Sequence, residues 1–205
     1  MSPRLTFVLL FLLSSLSVGA QSRPSAREAG LPLSVGFGYS NYNIDFDNFK
    51  RSAEESPRMG GLSAWIDLDL SGLRFVPNGL GIEAKGDSIR YGRPQDYSEM
   101  SQTAALAGPI YHWRRRSALH PYGKFLLGYG RTYFPARYGK WVGPYHFDTR
   151  TVYAPGGGVD LHAYGPLWVR ADYEYQMWPQ LFGRTVTPNG FTLGVSYDLS
   201  HRYLR

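Results

Sequence analysis

Residue character alternates one by one through Leu167 to Trp178, LWVRADYEYQMW. Leu167, Val169, Ala171, Tyr173, Tyr175 and Met177 are apolar or aromatic, and Arg170, Asp172, Glu174 and Gln176 between them are charged or polar. Successive side chains of a strand point to opposite faces, so a period of two predicts one β-strand with a greasy face and a charged face. At about 12 residues it exceeds the usual 5–6 and reaches the roughly 9–11 tilted residues that cross a bilayer. The charged face belongs in water or in a paired network; the greasy face meets either a protein core or lipid.

The same period recurs. It predicts strands at about Leu33–Tyr39, Gly60–Leu70, Leu80–Tyr91, Ser101–Trp113, Tyr122–Tyr133, Thr151–Ala163 and Gly190–Leu199, eight with the stretch above. Pro109 is a poor central-strand residue and predicts a bulge or bend. No crossover helix separates the strands, so the sheet is antiparallel. Long connections follow strands one, three, five and seven; short ones follow two, four and six. Pro179–Pro188 is read as the last loop. Long loops at one end and short turns at the other are the asymmetry of a transmembrane β-barrel. Closure follows from chemistry, because the bilayer core offers no water to the unpaired edges of an open sheet. The expected fold is all-β: an eight-stranded antiparallel up-and-down barrel, with an interior just wide enough to be filled by side chains.

On that reading Gly36, Gly38, Gly81, Gly128, Gly130, Gly156, Gly158 and Gly194 share the inner phase and leave room for long inward residues. The inward charges are Asp67, Asp69, Glu83, Lys85, Asp87, Lys124, Asp160, Arg170, Asp172 and Glu174. A tight turn at Tyr164-Gly165-Pro166, with Ala163 facing Leu167, places Asp160 opposite Arg170, Gly158 opposite Asp172 and Gly156 opposite Glu174. An Asp160–Arg170 ion pair inside the barrel is expected. The other acids should share Lys85, Lys124, Arg170 and water, since a charge buried alone costs several kcal/mol.

Composition adds the compartment. Arg4, the apolar run Phe7–Leu13 and the small residues Val18-Gly19-Ala20 read as a secretory signal over 1–20, too short to span a membrane as a helix. The chain then divides into a polar lead-in at 21–30, a barrel at 31–199 and a tail at 200–205. There is no cysteine, which excludes disulfides, thiolate metal sites and a cysteine nucleophile together. Aromatics make up 16% of the chain, which suits strands whose inward residues dilute the lipid-facing ones. A formal charge of +6 is too small to argue nucleic acid.

The run Gly156-Gly-Gly-Val-Asp160-Leu, a short turn, then Leu167-Trp-Val-Arg170-Ala-Asp-Tyr-Glu-Tyr resembles the penultimate hairpin of the small OmpA-like outer-membrane β-barrel proteins. Thr192-Leu-Gly194-Val-Ser-Tyr197-Asp-Leu199 is similar to the C-terminal signal read by the outer-membrane assembly machinery, although Ser200–Arg205 follow it. The resemblance implies an outer-membrane location and a structural, adhesive or surface-interaction role. It implies no catalytic residues and no cofactor.

Other candidates are weaker. Arg131, Arg137, Lys140 and Arg150 flank the third long loop and could meet lipopolysaccharide phosphates, which arginine pairs well; a solvated loop is the plainer reading. Arg114-Arg115-Arg116 reads as a solvated turn. His112, His120, His146, His162 and His201 show no ligand spacing, so no metal is expected. No G-x-S-x-G motif is present, and His162 beside Asp160 reads as part of the inner network rather than as a catalytic pair. Tyr42, Tyr91, Trp113, Tyr133, Tyr153 and Trp178 read as interfacial girdles. Three rivals to a sealed structural barrel remain: a narrow channel for small solutes, a soluble lipocalin-like barrel with its greasy face inward, and a lipid A–modifying enzyme. The glycines argue against the second, because they would then lie on the outside without a packing reason. The sequence names no loop ligand and no oligomeric state.

Overall fold

The computed structural model describes residues 32–44, 58–91, 100–113, 118–133 and 147–199, with the side chain of Tyr91 excepted. The predicted signal, the Arg114–Arg116 run, Arg137, Lys140, His146 and the tail lie outside those residues.

Eight strands close into an antiparallel barrel. They are β1 (Leu33–Asn43), β2 (Arg58–Asp69), β3 (Leu80–Tyr91), β4 (Met100–His112), β5 (Leu119–Tyr133), β6 (Phe147–Tyr164), β7 (Leu167–Tyr175) and β10 (Asn189–Asp198). Each pairs with its chain neighbour, and β10 pairs with both β7 and β1, which completes the ring. β1 therefore begins and β10 ends at one mouth, the terminal mouth, where Ser34 lies opposite Asp198. The far mouth carries the connections after β1, β3, β5 and β7.

The faces fall as the alternation predicts. Phe37, Leu62 and Tyr129 are 67%, 69% and 68% exposed on the outside, whereas Glu83, Lys85 and Glu174 are buried inside. The lipocalin-like alternative requires the reverse and is not the arrangement found. Trp113, Tyr133 and Tyr153 are outward and exposed near strand ends, as girdle residues would be, and Trp113 packs edge-on against Tyr111. Tyr42 and Trp178 are not girdle residues: both are fully buried inside.

Three local expectations change. Pro109 causes no bulge. The β4–β5 ladder lacks pairs at Gly108 and Pro109, but its register is the same on either side, Ala107 with Leu127 and Ile110 with Lys124. A residue without an N–H interrupts a ladder without shifting it. The bulge lies elsewhere, between His162 and Tyr164, so Tyr164 rather than Ala163 faces Leu167. Gly165 takes the left-handed backbone that this turn needs (φ 54°). The third change concerns β7, which is shorter than the alternation suggested. It stops at Tyr175, and the supposed loop beyond forms a small hairpin of β8 (Trp178–Leu181) and β9 (Arg184–Val186). The connection at 70–79, read as a short turn, is a compact series of turns closed by Leu73 N–Leu70 O, Val76 N–Leu73 O and Leu80 N–Pro77 O bonds.

Candidate functional site

Among the described residues the lumen is where charged and polar side chains gather, and β7 orders it. The inward residues of β7 climb from the terminal mouth as Trp168, Arg170, Asp172 and Glu174, followed by Gln176 and Trp178. Each meets a different tier.

Arg170 makes the lowest tier. Its Nε and a terminal nitrogen grip Asp160 at 2.7 and 2.9 Å, and its other bonds go to Glu83 at 2.8 Å and Asp67 at 2.7 Å. The guanidinium also sits 5.0 Å from the Trp65 ring and 4.8 Å from the Tyr122 ring, an arrangement that a planar, weakly hydrated cation suits. The expected Asp160–Arg170 pair is present in the expected register, as are Gly158–Asp172 and Gly156–Glu174. Above it, Lys124 donates to Glu83 and Asp172, both at 2.8 Å. Tyr122 reaches across to donate to Asp172 at 2.8 Å. It passes over Gly158, where an added Cβ would come within 2.7 Å of its hydroxyl. Next, Lys85 donates to Glu174 at 3.0 Å and lies 3.5 Å from Asp87. Tyr42 donates to Glu174 at 2.9 Å. A hydroxyl chain of Thr192, Ser40 and Ser63 ends on Asp87.

Polar pairing gives way to apolar packing toward the far mouth. Gln176 donates to Glu174 at 2.8 Å and accepts from Gln102 at 3.2 Å and from the Trp178 indole at 2.9 Å. Trp178 then packs in a buried cluster that includes Ile44, Met59, Ile89, Met100, Leu181 and Val186. Its ring lies against Gly130, where any side chain would overlap it. The β8–β9 hairpin is thus folded into the far mouth. It is held to β6 by the Tyr153–Met177 bridge and by the Phe182 amide on Asp148 at 2.9 Å. Its turn uses left-handed backbone at Gln180 (φ 55°), Phe182 (φ 49°) and Gly183 (φ 79°).

The structure brings together nine of the ten charges predicted for the network. Asp69 is set apart: it accepts from the Ser71 amide at 2.8 Å and from the Ser71 hydroxyl, and so shapes the turn at the terminal mouth. His162 is not in the network. Its ring bonds the Gly165 carbonyl at 2.8 Å and packs on Trp168, while His112 meets Asp160 at 3.3 Å. The sequence reading missed Tyr42, Tyr122, Gln102, Trp178 and the hydroxyl chain as lumen residues. Phase alone could have found them, since Tyr42 continues the inner face of Gly36, Gly38 and Ser40, and Trp178 continues that of Gln176. No group of three or more histidine or acidic side chains converges as a metal site among the described residues.

Of the basic candidates near the far mouth, Arg131 points outward with its guanidinium 4.2 Å from the Phe147 ring. Arg150 lies in inward phase and donates to Asp148 at 3.0 Å, so the two do not form one patch. Arg58 and Arg90, which the sequence reading passed over, are exposed at outward positions of β2 and β3 near the same mouth.

Residues 8–198 match the family profile described as "Outer membrane protein beta-barrel domain". Among solved structures, Ail, the attachment invasion locus protein of Yersinia pestis, aligns over 82% of this chain and 99% of its own, at 19% identity and a TM-score of 0.57. Neisserial surface protein A aligns over 82% and 97%, at 16% identity and a TM-score of 0.57. A second Ail structure holds the heparin analogue sucrose octasulfate, at 19% identity and a TM-score of 0.55, covering 82% of this chain and 99% of that one. Comparison with curated proteins found no match. At these identities the structural likeness speaks for the fold.

Proposed function

The chain belongs to the outer-membrane β-barrel protein family, and on that premise we propose that it is a sealed barrel of the bacterial outer membrane. It is exported by its N-terminal signal, inserted through its last strand by the assembly machinery, and acts structurally or in surface interaction through the connections at its far mouth. It carries out no catalysis. Its terminal mouth faces the periplasm.

One observation carries the sealed reading: above the charged tiers the lumen holds a packed apolar cluster around Trp178, which is fully buried. Conduction needs a path that ions enter and leave readily, and here the cations are held by two or more carboxylates each. The narrow-channel reading predicts stepwise currents. Purified barrel in planar bilayers is expected to be electrically silent, and reproducible unitary conductance would overturn the proposal.

Outward arginines near the far mouth suit lipid phosphates. Arg58, Arg90 and Arg131 are proposed to meet lipopolysaccharide there, because guanidinium groups bind phosphate oxygens in bidentate fashion. Thermal unfolding in lipopolysaccharide-containing vesicles should lie above that in phospholipid alone. Replacing all three by Gln should abolish the difference; an unchanged difference would remove these residues from the interaction.

A further inference from the structure

The connection from β2 to β3 at the terminal mouth bonds its polar groups to one another and displays its apolar ones. The ladder of the two strands runs on to a Leu70 N–Leu80 O bond at 3.0 Å, one step past the Asp69–Gly81 pair. Asp69, in the inner phase, accepts from the Ser71 amide at 2.8 Å, and the Ser71 hydroxyl accepts from the Gly79 amide at 2.9 Å. The Leu73 and Val76 amides are bonded within the turn at 2.9 and 3.1 Å. The backbone is thus fixed by its own hydrogen bonds, without a cover of apolar side chains. Leu73 is 46% exposed and Phe75 is 93% exposed, the highest value for a large apolar residue among the described residues. Arg74, between them, is exposed as well.

A single exposed Phe is ordinary on a protein surface. The position of this one is not, because the lipid-facing belt leads into it. Ile66 on β2 and Ile82 on β3 are 49% and 45% exposed on the outer face of the same hairpin. Leu80 pairs with Tyr111 on β4, and exposed Trp113 follows two residues on. The turn therefore continues an apolar surface at the level where hydrocarbon gives way to headgroups. Asp69 and Ser71 occupy its lumen side, which leaves the lipid side to Leu73 and Phe75. Two side chains fall well short of the roughly 800 Å² that each partner of a stable protein interface buries. A lipid surface takes up apolar side chains singly, in proportion to area. An arginine between two such residues keeps its head in the polar layer, where phosphate oxygens accept from it.

We propose that the 70–79 turn is a membrane anchor: Phe75 and Leu73 lie in the headgroup layer of the periplasmic leaflet, and Arg74 pairs with a lipid phosphate there. The occupant is lipid and not a periplasmic protein. The anchor rests on the membrane placement and orientation given under the proposed function, and not on the sealed lumen.

The chain has no cysteine, so a single nitroxide label can be placed on the full barrel at Phe75→Cys, with Asn78→Cys on the same turn and Ile82→Cys on the lipid belt as references. The barrels are reconstituted into vesicles of phosphatidylcholine and phosphatidylglycerol without other protein. Relaxation of each label by dioxygen, which concentrates in lipid, is compared with relaxation by a water-soluble nickel chelate. The ratio at position 75 is expected to lie nearer that of position 82 than that of position 78. In the same vesicles, Leu73→Ser combined with Phe75→Ser should shift the unfolding equilibrium about tenfold toward the unfolded state. A turn held in water predicts almost no shift, since neither side chain is packed. Unboiled samples that migrate apart from boiled ones on a detergent gel establish that each variant is an inserted barrel. An inserted barrel whose label at position 75 is as open to nickel as that at position 78, or whose double variant unfolds like the parent, would overturn the anchor and leave the barrel's placement standing. The apolar pair would then be left for a protein partner. Failure of every variant and of the parent to insert would overturn the placement and the anchor together.

Discussion

Replacing Arg170 by Met is expected to destabilise the folded barrel by about 3–5 kcal/mol, the usual cost of removing one partner from a buried ionic cluster. The reason is what remains. Asp160 loses both of its Arg170 bonds, Glu83 keeps only Lys124, and Asp67 keeps only the long Ser34 contact at 3.3 Å. Six buried carboxylates then share the lumen with two lysines. Arg170→Lys should recover part of the loss and no more, because a point charge cannot reach Asp160, Glu83 and Asp67 at once as the planar fork does. Urea unfolding in lipid vesicles, followed by tryptophan emission, measures both variants. A loss below about 1 kcal/mol for Arg170→Met would mean that water or the lysines can satisfy these acids.

Trp178→Ala should cost a similar amount, about 3–5 kcal/mol, for a different reason. The indole is fully buried and fills the space left by Gly130. Removing it leaves a cavity in the apolar plug and takes one donor from Gln176, which keeps Gln102 at 3.2 Å. The converse change, Gly130→Leu, should also destabilise, since its side chain would occupy the volume of the ring. If the plug closes the lumen, Trp178→Ala barrels in planar bilayers should show brief conductance events absent from the parent. A stable and silent Trp178→Ala barrel would place the seal wholly in the charged tiers.

Period-two alternation was enough to place the barrel strands, their faces and the inward charges. A strand's facing is a local property: once Leu167–Tyr175 alternates, every second residue shares one side whatever surrounds it. Register at one hairpin was also legible, because a tight turn leaves few ways to pair Asp160 with Arg170. The ends of strands were less so. β6 was expected to begin at Thr151 and begins at Phe147, and β1 continues past Tyr39 to Asn43, since pairing extends as far as a partner strand is present. The β8–β9 hairpin was invisible for the same kind of reason. Trp178–Val186, with Pro179 within it, does not alternate, and it is shaped by the mouth that it fills rather than by its own propensity.

The sequence by itself determined which residues share a face of each strand, because alternation acts residue by residue; that the greasy face points outward and the charged face inward was decided by the closed barrel. Only the tertiary structure decided which acid meets which cation. Arg170 gathers Asp67 from β2, Glu83 from β3 and Asp160 from β6, residues brought to one level by the shear of a closed sheet. It likewise decided that His112, and not His162, meets Asp160: the ring of His162 bonds the Gly165 carbonyl in the turn, while His112 arrives from β4. Such meetings depend on how eight strands are staggered around a common axis, and no single stretch of sequence encodes that stagger.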